Sequence, residues 1–169
     1  MFDLTDAAEE NARHEWYSPI GEYVLLFSNL EFELSGWVQL LSSSRALKKL
    51  GNTLKFSQKF ELLLDLIEEY EIDAGTKEKW KQEWQQVKPL INTRNLICHN
   101  PPIDNFSLSL NQGHVRIDSR KVEVHALKKP IGEPGSGLDL ADLKQKTNIL
   151  RQLLIRLDLM HTEETMRNI

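Results

Sequence analysis

LINTRNLICHNPP, residues 90–102, is the stretch whose reading decides the fold. A helical pattern that opens at Thr76 and carries Trp80, Trp84, Val87 and Ile91 on one stripe runs into it and meets Pro101-Pro102. A residue before proline avoids the helical region, so the double proline predicts a helix end close to His99. Pro89 lies inside the pattern and removes a backbone donor, which predicts a kink there or a new helix beginning near it. Counting three and seven residues from Ile91 reaches Arg94 and Cys98. The arginine is therefore expected on the packed side of the helix, and Cys98 is expected to be a small buried core residue rather than a nucleophile.

Upstream, residues 1–16 are acidic and read as a short helix followed by a link. Ser18 suits an N-cap and Pro19 a first helical position. Ile20, Val24, Phe27, Leu34, Val38 and Leu41 recur at three and four residues, predicting a long amphipathic helix over 19–43. Glu31 falls within that stripe, four residues after Phe27 and three before Leu34. It either pairs with a cation on the core side or emerges at the edge of a long helix. Ser42-Ser43-Ser44 ends that helix or caps a short one. Residues 45–59 then carry Arg45, Lys48, Lys49, Lys55 and Lys59 with no acid between them, around a break at Gly51-Asn52. The run reads first as solvated surface and second as an RNA-facing patch. Phe60, Leu63, Leu64 and Ile67 predict a further helix over 57–72.

Downstream the period changes. Phe106, Leu108 and Leu110 alternate with Ser107 and Ser109, and Val115, Ile117, Val122 and Val124 follow Asn111-Gln112-Gly113. Alternation across a glycine-containing turn predicts an antiparallel β-hairpin over 105–126, with room for a third short strand. Residues 129–137 hold three Gly and two Pro and read as a loop. Leu140, Leu143, Leu150, Leu153, Leu154 and Leu157 predict the last long helix over 139–161, with TEETMRNI as a polar tail. The expected fold is mainly α: one domain over 1–169, an up-and-down four-helix bundle with a small hairpin insertion before its last helix. The leucines of that helix and the tryptophans of the third leave apolar surface for a homodimer interface. Trp16, Trp37, Trp80 and Trp84 are expected in the core or at such an interface.

Composition narrows the function. The 169 residues carry a formal net charge of −4, which argues against tight non-specific nucleic-acid binding by the chain as a whole. Eight of the 25 acidic side chains and one of the 21 basic ones fall in residues 1–36, leaving 17 acidic and 20 basic, net +3, on the rest. Cys98 is the only cysteine, which excludes an intrachain disulfide and a clustered zinc site. No histidine pair has convincing metal spacing, so neither metal nor cofactor is expected. No apolar run approaches the ~20 residues of a membrane span, and the acidic start is unlike a signal peptide. A cytoplasmic protein without membrane contact is the expectation.

Arg94 and His99 have two readings as residues. They can be ordinary hydrogen-bonding decoration at a helix end, with Arg94 paired to Glu31. Alternatively, Arg94 holds a phosphate through two parallel hydrogen bonds, and the imidazole of His99, which titrates near neutral pH, takes and gives a proton. Asn95 then positions a phosphate oxygen or orients the imidazole. These are the parts a metal-independent ribonuclease needs, and DNA, lacking the 2′-hydroxyl, would be inert. Five residues on a straight helix separate side chains by about 140°, so the pair meets only through a distorted last turn or across two subunits.

Arg94-Asn95-Leu96-Ile97-Cys98-His99 matches the R-x4-H motif, with Asn after the Arg, of the HEPN superfamily (higher eukaryotes and prokaryotes nucleotide-binding domains). The layout is similar too: a helical bundle with the motif near the end of the third long helix and one more helix closing the fold. The resemblance covers roughly residues 18–161, with 105–137 as an insertion. It implies a homodimer whose two motifs line one cleft. It also implies metal-independent RNase activity in a toxin–antitoxin or phage-defence role, often beside a nucleotidyltransferase-like antitoxin. By the same resemblance Arg94 stabilises the phosphate, His99 is base or acid, Asn95 orients, and Glu31 is the supporting acid from an earlier helix. Some members of the superfamily are catalytically silent and serve in nucleotide binding or protein assembly.

Overall fold

The computed structural model describes residues 4–99, 102–111, 114–125 and 137–168, with side chains over 15–98 and 138–168. The chain is mainly helical: α1 Leu4–Leu41, α2 Arg45–Thr53, α3 Phe56–Glu69, α4 Ala74–Gln85, α5 Val87–His99 and α6 Leu140–Arg167. Strands β1 Pro102–Asn111, β2 His114–His125 and β3 Gly137–Leu138 lie between α5 and α6. No helix among the described residues is long and apolar enough to cross a membrane. The chain divides into two compact units, Met1–Val24 with Ile91–Thr147 and Leu25–Leu90 with Asn148–Ile169.

Helix α1 does not start at Pro19. It begins at Leu4 and carries Pro19 inside. The buried rows explain why. Trp16, Tyr23, Leu30 and Trp37 repeat every seven residues, and Phe27, Leu34 and Leu41 form a second row beside them. An interior proline costs about 3 kcal/mol. Burying side chains as large as Trp16 and Tyr23 on either side is worth ~1.5–3 kcal/mol each, enough to carry the helix through.

The same rows decide between the two readings of Glu31 in favour of the helix edge. With Trp16, Tyr23, Leu30 and Trp37 in the stripe and Ile20 and Val24 outside it, its centre lies roughly 40° from that of the predicted row Ile20, Val24, Phe27, Leu34, Val38 and Leu41. Glu31 is left outside the stripe and is exposed.

In the first unit the strands pair as β1-β2-β3, each neighbour antiparallel. Leu108 stands opposite Ile117 and Leu110 opposite Val115, with an irregularity between Ser107 and Leu108. Asp118 is the extra residue of β2 there, since Ser107 pairs with Ser119. Val122 and Val124 belong to β2 rather than to a separate strand, and Gly137 pairs with His125. The turn at Gln112-Gly113 and the loop 129–136 lie outside the described residues. Among the residues with described side chains, Trp16, Tyr23, Ile97, Leu138 and Leu143 are the buried apolar ones of this unit, joined by Thr93 and Thr147.

The second unit is built around tryptophan. The Trp37 ring lies 4.9 Å from that of Trp80 at 78° and 6.2 Å from that of Trp84 at 82°, two edge-on contacts. Phe60 packs 6.4 Å from Trp84, and Phe27 4.9 Å from Phe56. Leu63, Ile67, Leu150, Leu153, Leu157 and Met160 are also in this core. Trp16, in the first unit, is buried as well, so all four tryptophans are core residues.

Local signals set the remaining helix ends. Ser44 caps α2 by accepting from Leu47 N, 3.1 Å. Asp73 caps α4 by accepting from Thr76 N, 2.9 Å, so the helix opens before Thr76 rather than at it. Asp139 caps α6 through Asp142 N, 2.8 Å. Gln86 separates α4 from α5, which puts Pro89 in the first turn of a new helix, where its missing donor costs little.

TEETMRNI is not a tail, since α6 continues to Arg167. Buried Glu164 accepts from the Tyr70 hydroxyl, 2.9 Å, and from Arg167 Nη1, 3.2 Å.

Candidate functional site

Helix α5 positions the candidate residues of the first unit. Its buried positions are Val87, Leu90, Thr93 and Ile97. From Trp84 to Thr93 the buried positions fall every three residues, and the step to Ile97 is four. The stripe thus passes through Leu90 and Thr93, one residue short of Ile91 and Arg94. Ile91 and Arg94 sit half-buried beside it, and Cys98 is exposed rather than in the core. The cause is the break at Gln86, which resets the helical phase that Trp80 and Trp84 establish.

Arg94 occupies an edge position with part of its stem covered. Its Nη1 donates to Oδ1 of exposed Asn95 at 3.2 Å. Among the described residues it forms no ion pair, whereas Lys81 pairs with Glu68, Arg156 with Glu83 and Arg167 with Glu164. A half-buried guanidinium held by a neutral amide keeps most of its donors for an incoming anion.

His99 is the last residue of α5. Its imidazole lies outside the described residues. The backbone is helical through position 99, so positions 94 and 99 stand about 140° apart around one helix.

Glu31 belongs to the second unit and is exposed. Its carbonyl accepts from Ser35 Oγ, 2.8 Å. A Glu31–Arg94 pair is a feature of neither unit. Arg94 and Asn95 are thus brought together, while Glu31 does not join them within a unit.

The second unit contains a groove of about 510 Å³ lined by residues such as Leu41, Leu47, Leu66, Glu69, Tyr70 and Asn168. None of the predicted site residues lines it. Among the described residues no three His, Cys, Asp or Glu side chains form a metal-binding group.

Lys59, expected at the end of a solvated or RNA-facing basic run, is instead buried and donates to Ser35 Oγ at 2.8 Å. Its position one residue before Phe60 on a helix edge was the available signal. No protein-family model, curated protein or solved structure matches the chain.

Proposed function

We propose that the chain is a metal-independent endoribonuclease of the HEPN type. In this reading the helices form a HEPN-like up-and-down four-helix bundle with the strands as an insertion, and two copies assemble so that their motifs share one cleft. The reading is carried by one observation: Arg94, half-buried and held by neighbouring Asn95, stands without a carboxylate partner among the described residues, five positions before His99 at the end of α5.

The reaction runs on these side chains, with the second subunit's imidazole or solvent as the acid. His99 takes the proton of the ribose 2′-hydroxyl as its oxygen attacks the adjacent phosphorus. Arg94 stabilises the charge that builds on the phosphoryl oxygens. The bond from phosphorus to the 5′-oxygen breaks, and that oxygen is protonated by the second subunit's imidazole or by solvent. The products are a 2′,3′-cyclic phosphate and a 5′-hydroxyl. Toxin–antitoxin or phage-defence work, with a nucleotidyltransferase-like antitoxin as restraint, is the biological setting that belongs to this reading.

The alternative is a catalytically silent HEPN-like module that binds a nucleotide phosphate at Arg94 or serves protein assembly. The wide angular separation of positions 94 and 99 on one helix favours it if the protein acts as a monomer.

RNA incubated with the purified protein in EDTA separates the two. Cleavage to cyclic-phosphate ends that disappears in His99→Ala supports the nuclease. Saturable nucleotide binding with no cleavage supports the silent module.

A further inference from the structure

We infer that the outer face of α2 is a docking surface for the phosphate backbone of single-stranded RNA. The inference rests on the ribonuclease reading for its choice of polyanion, and on α2 itself for its geometry. Arg45, Lys48, Lys49 and Asn52 fall within an arc of about 100° around this helix. All four are exposed. None of the three cations has an ion-pair partner among the described residues, although cations elsewhere in the same unit pair with Glu68, Glu83 and Glu164. Residues 45–60 contain no acid, in a chain whose net charge is −4. A segregated, unpaired cationic face on an acidic protein is not what average composition produces.

The helix is also held rigidly enough to present that face. Ser44 caps its start, and buried Gly51 lies so close to Val38 that an added Cβ would stand 2.7 Å from Val38 Cγ1. Beside the cations, Asn52 Oδ1 accepts from Gln39 Nε2 at 3.3 Å, supplying neutral amides of the kind that contact phosphate and sugar oxygens.

An anionic membrane is the competing polyanion, but three cations alone give it only about 3 kcal/mol of surface attraction, so stable attachment also needs a free apolar face to insert. Gly51 is buried against Val38, Leu47 and Leu54 are half-buried, and only the small Ala46 and Leu50, the latter at 49 % exposure, stand open. The apolar side of α2 is therefore largely used in packing.

The test is equilibrium binding of a labelled single-stranded RNA, 2′-O-methylated so that it cannot be cut, across a salt series. Each phosphate contact contributes about 0.7 to the slope of log affinity against log salt. Arg45→Ala/Lys48→Ala/Lys49→Ala is expected to lower that slope by roughly 2 and the low-salt affinity about tenfold or more. Lys79→Ala/Lys88→Ala/Lys144→Ala removes the same charge from exposed positions elsewhere and is expected to change the slope far less.

Equal effects of the two triple variants would overturn the inference, as would absence of RNA binding by the wild type. Binding to phosphatidylserine vesicles that exceeds RNA binding and depends on the same three residues would also overturn it. Because the probe cannot be cleaved, a protein that binds through α2 but cuts no RNA leaves the docking surface standing and removes only the nuclease reading.

Discussion

The hydroxyls of Tyr23 on α1 and Thr93 on α5 share a hydrogen bond inside the first unit. Burial pushes the Tyr23 phenol up, opposed in part by that bond. Thr93 immediately precedes Arg94, so the bond adds to the buried row Val87, Leu90, Thr93 and Ile97 that leaves the guanidinium at the edge of α5. Thr93→Val keeps the shape and removes the partner, leaving a buried hydroxyl unsatisfied at a cost of about 1–3 kcal/mol. Tyr23→Phe/Thr93→Val, with both polar groups gone, is expected to recover much of that loss in urea unfolding. Additive losses would show that the two hydroxyls act independently.

Gly51 sets two effects against each other. Alanine is favoured over glycine within a helix by about 1 kcal/mol. Here, however, its Cβ would meet Val38 Cγ1 at 2.7 Å, and overpacking of this kind costs ~1–3 kcal/mol. The contact is with a β-branched side chain of the core, which has little room to move, so Gly51→Ala is expected to destabilise. Val38→Ala/Gly51→Ala should then be more stable than the two single changes added together. Additivity in denaturant titrations would contradict the steric account.

Local patterns made the tryptophan stripe of α4, the break near Pro89 and the leucines of α6 legible in the sequence. What escaped depended on partners far along the chain. TEETMRNI looks polar because Glu164 is acidic, but its partner Tyr70 lies 94 residues away and keeps the helix in place to Arg167. Pro19 resembled a helix start because the burial that outweighs it, at Trp16 and Tyr23, is tertiary. The candidate site divides along the same line. Arg94 and Asn95 are neighbours, so their contact follows from the motif, whereas the placement of Glu31 depended on the phase of a 38-residue helix.

Glu33 is half-buried on α1, and its Oε2 has no hydrogen-bond partner among the described residues. Burial pushes its carboxyl up, with the nearby His161 opposing and Asp158 reinforcing the shift. A raised folded-state value means that the native protein holds this proton more tightly than the unfolded chain does. The stability from Glu33 is therefore present in acid, below the unfolded value, and is lost as pH rises through the folded one. Glu33→Gln mimics the protonated form and is expected to raise the melting temperature near about pH 7. The gain should shrink toward about pH 4, where the wild type is itself protonated. A gain independent of pH would assign the effect to something other than this titration.

Breaking a buried ion pair costs roughly 3–5 kcal/mol because a charge is left behind without its partner. Arg94 has no such partner among the described residues, so Arg94→Ala should leave the melting temperature nearly unchanged. Its effect should fall on RNA cleavage instead, by about 10²–10³-fold, the usual consequence of removing one transition-state charge stabiliser. Arg94→Lys keeps the charge but loses the planar fork, and is expected to lie between wild type and alanine. Asn95→Ala removes the 3.2 Å contact that holds the guanidinium while sparing the charge, so its loss should be smaller than that of Arg94→Ala. Cleavage rates in EDTA, measured beside thermal melts of each variant, check all three. A large drop in melting temperature for Arg94→Ala with cleavage merely in proportion to the folded fraction would place Arg94 in the architecture and not in the chemistry.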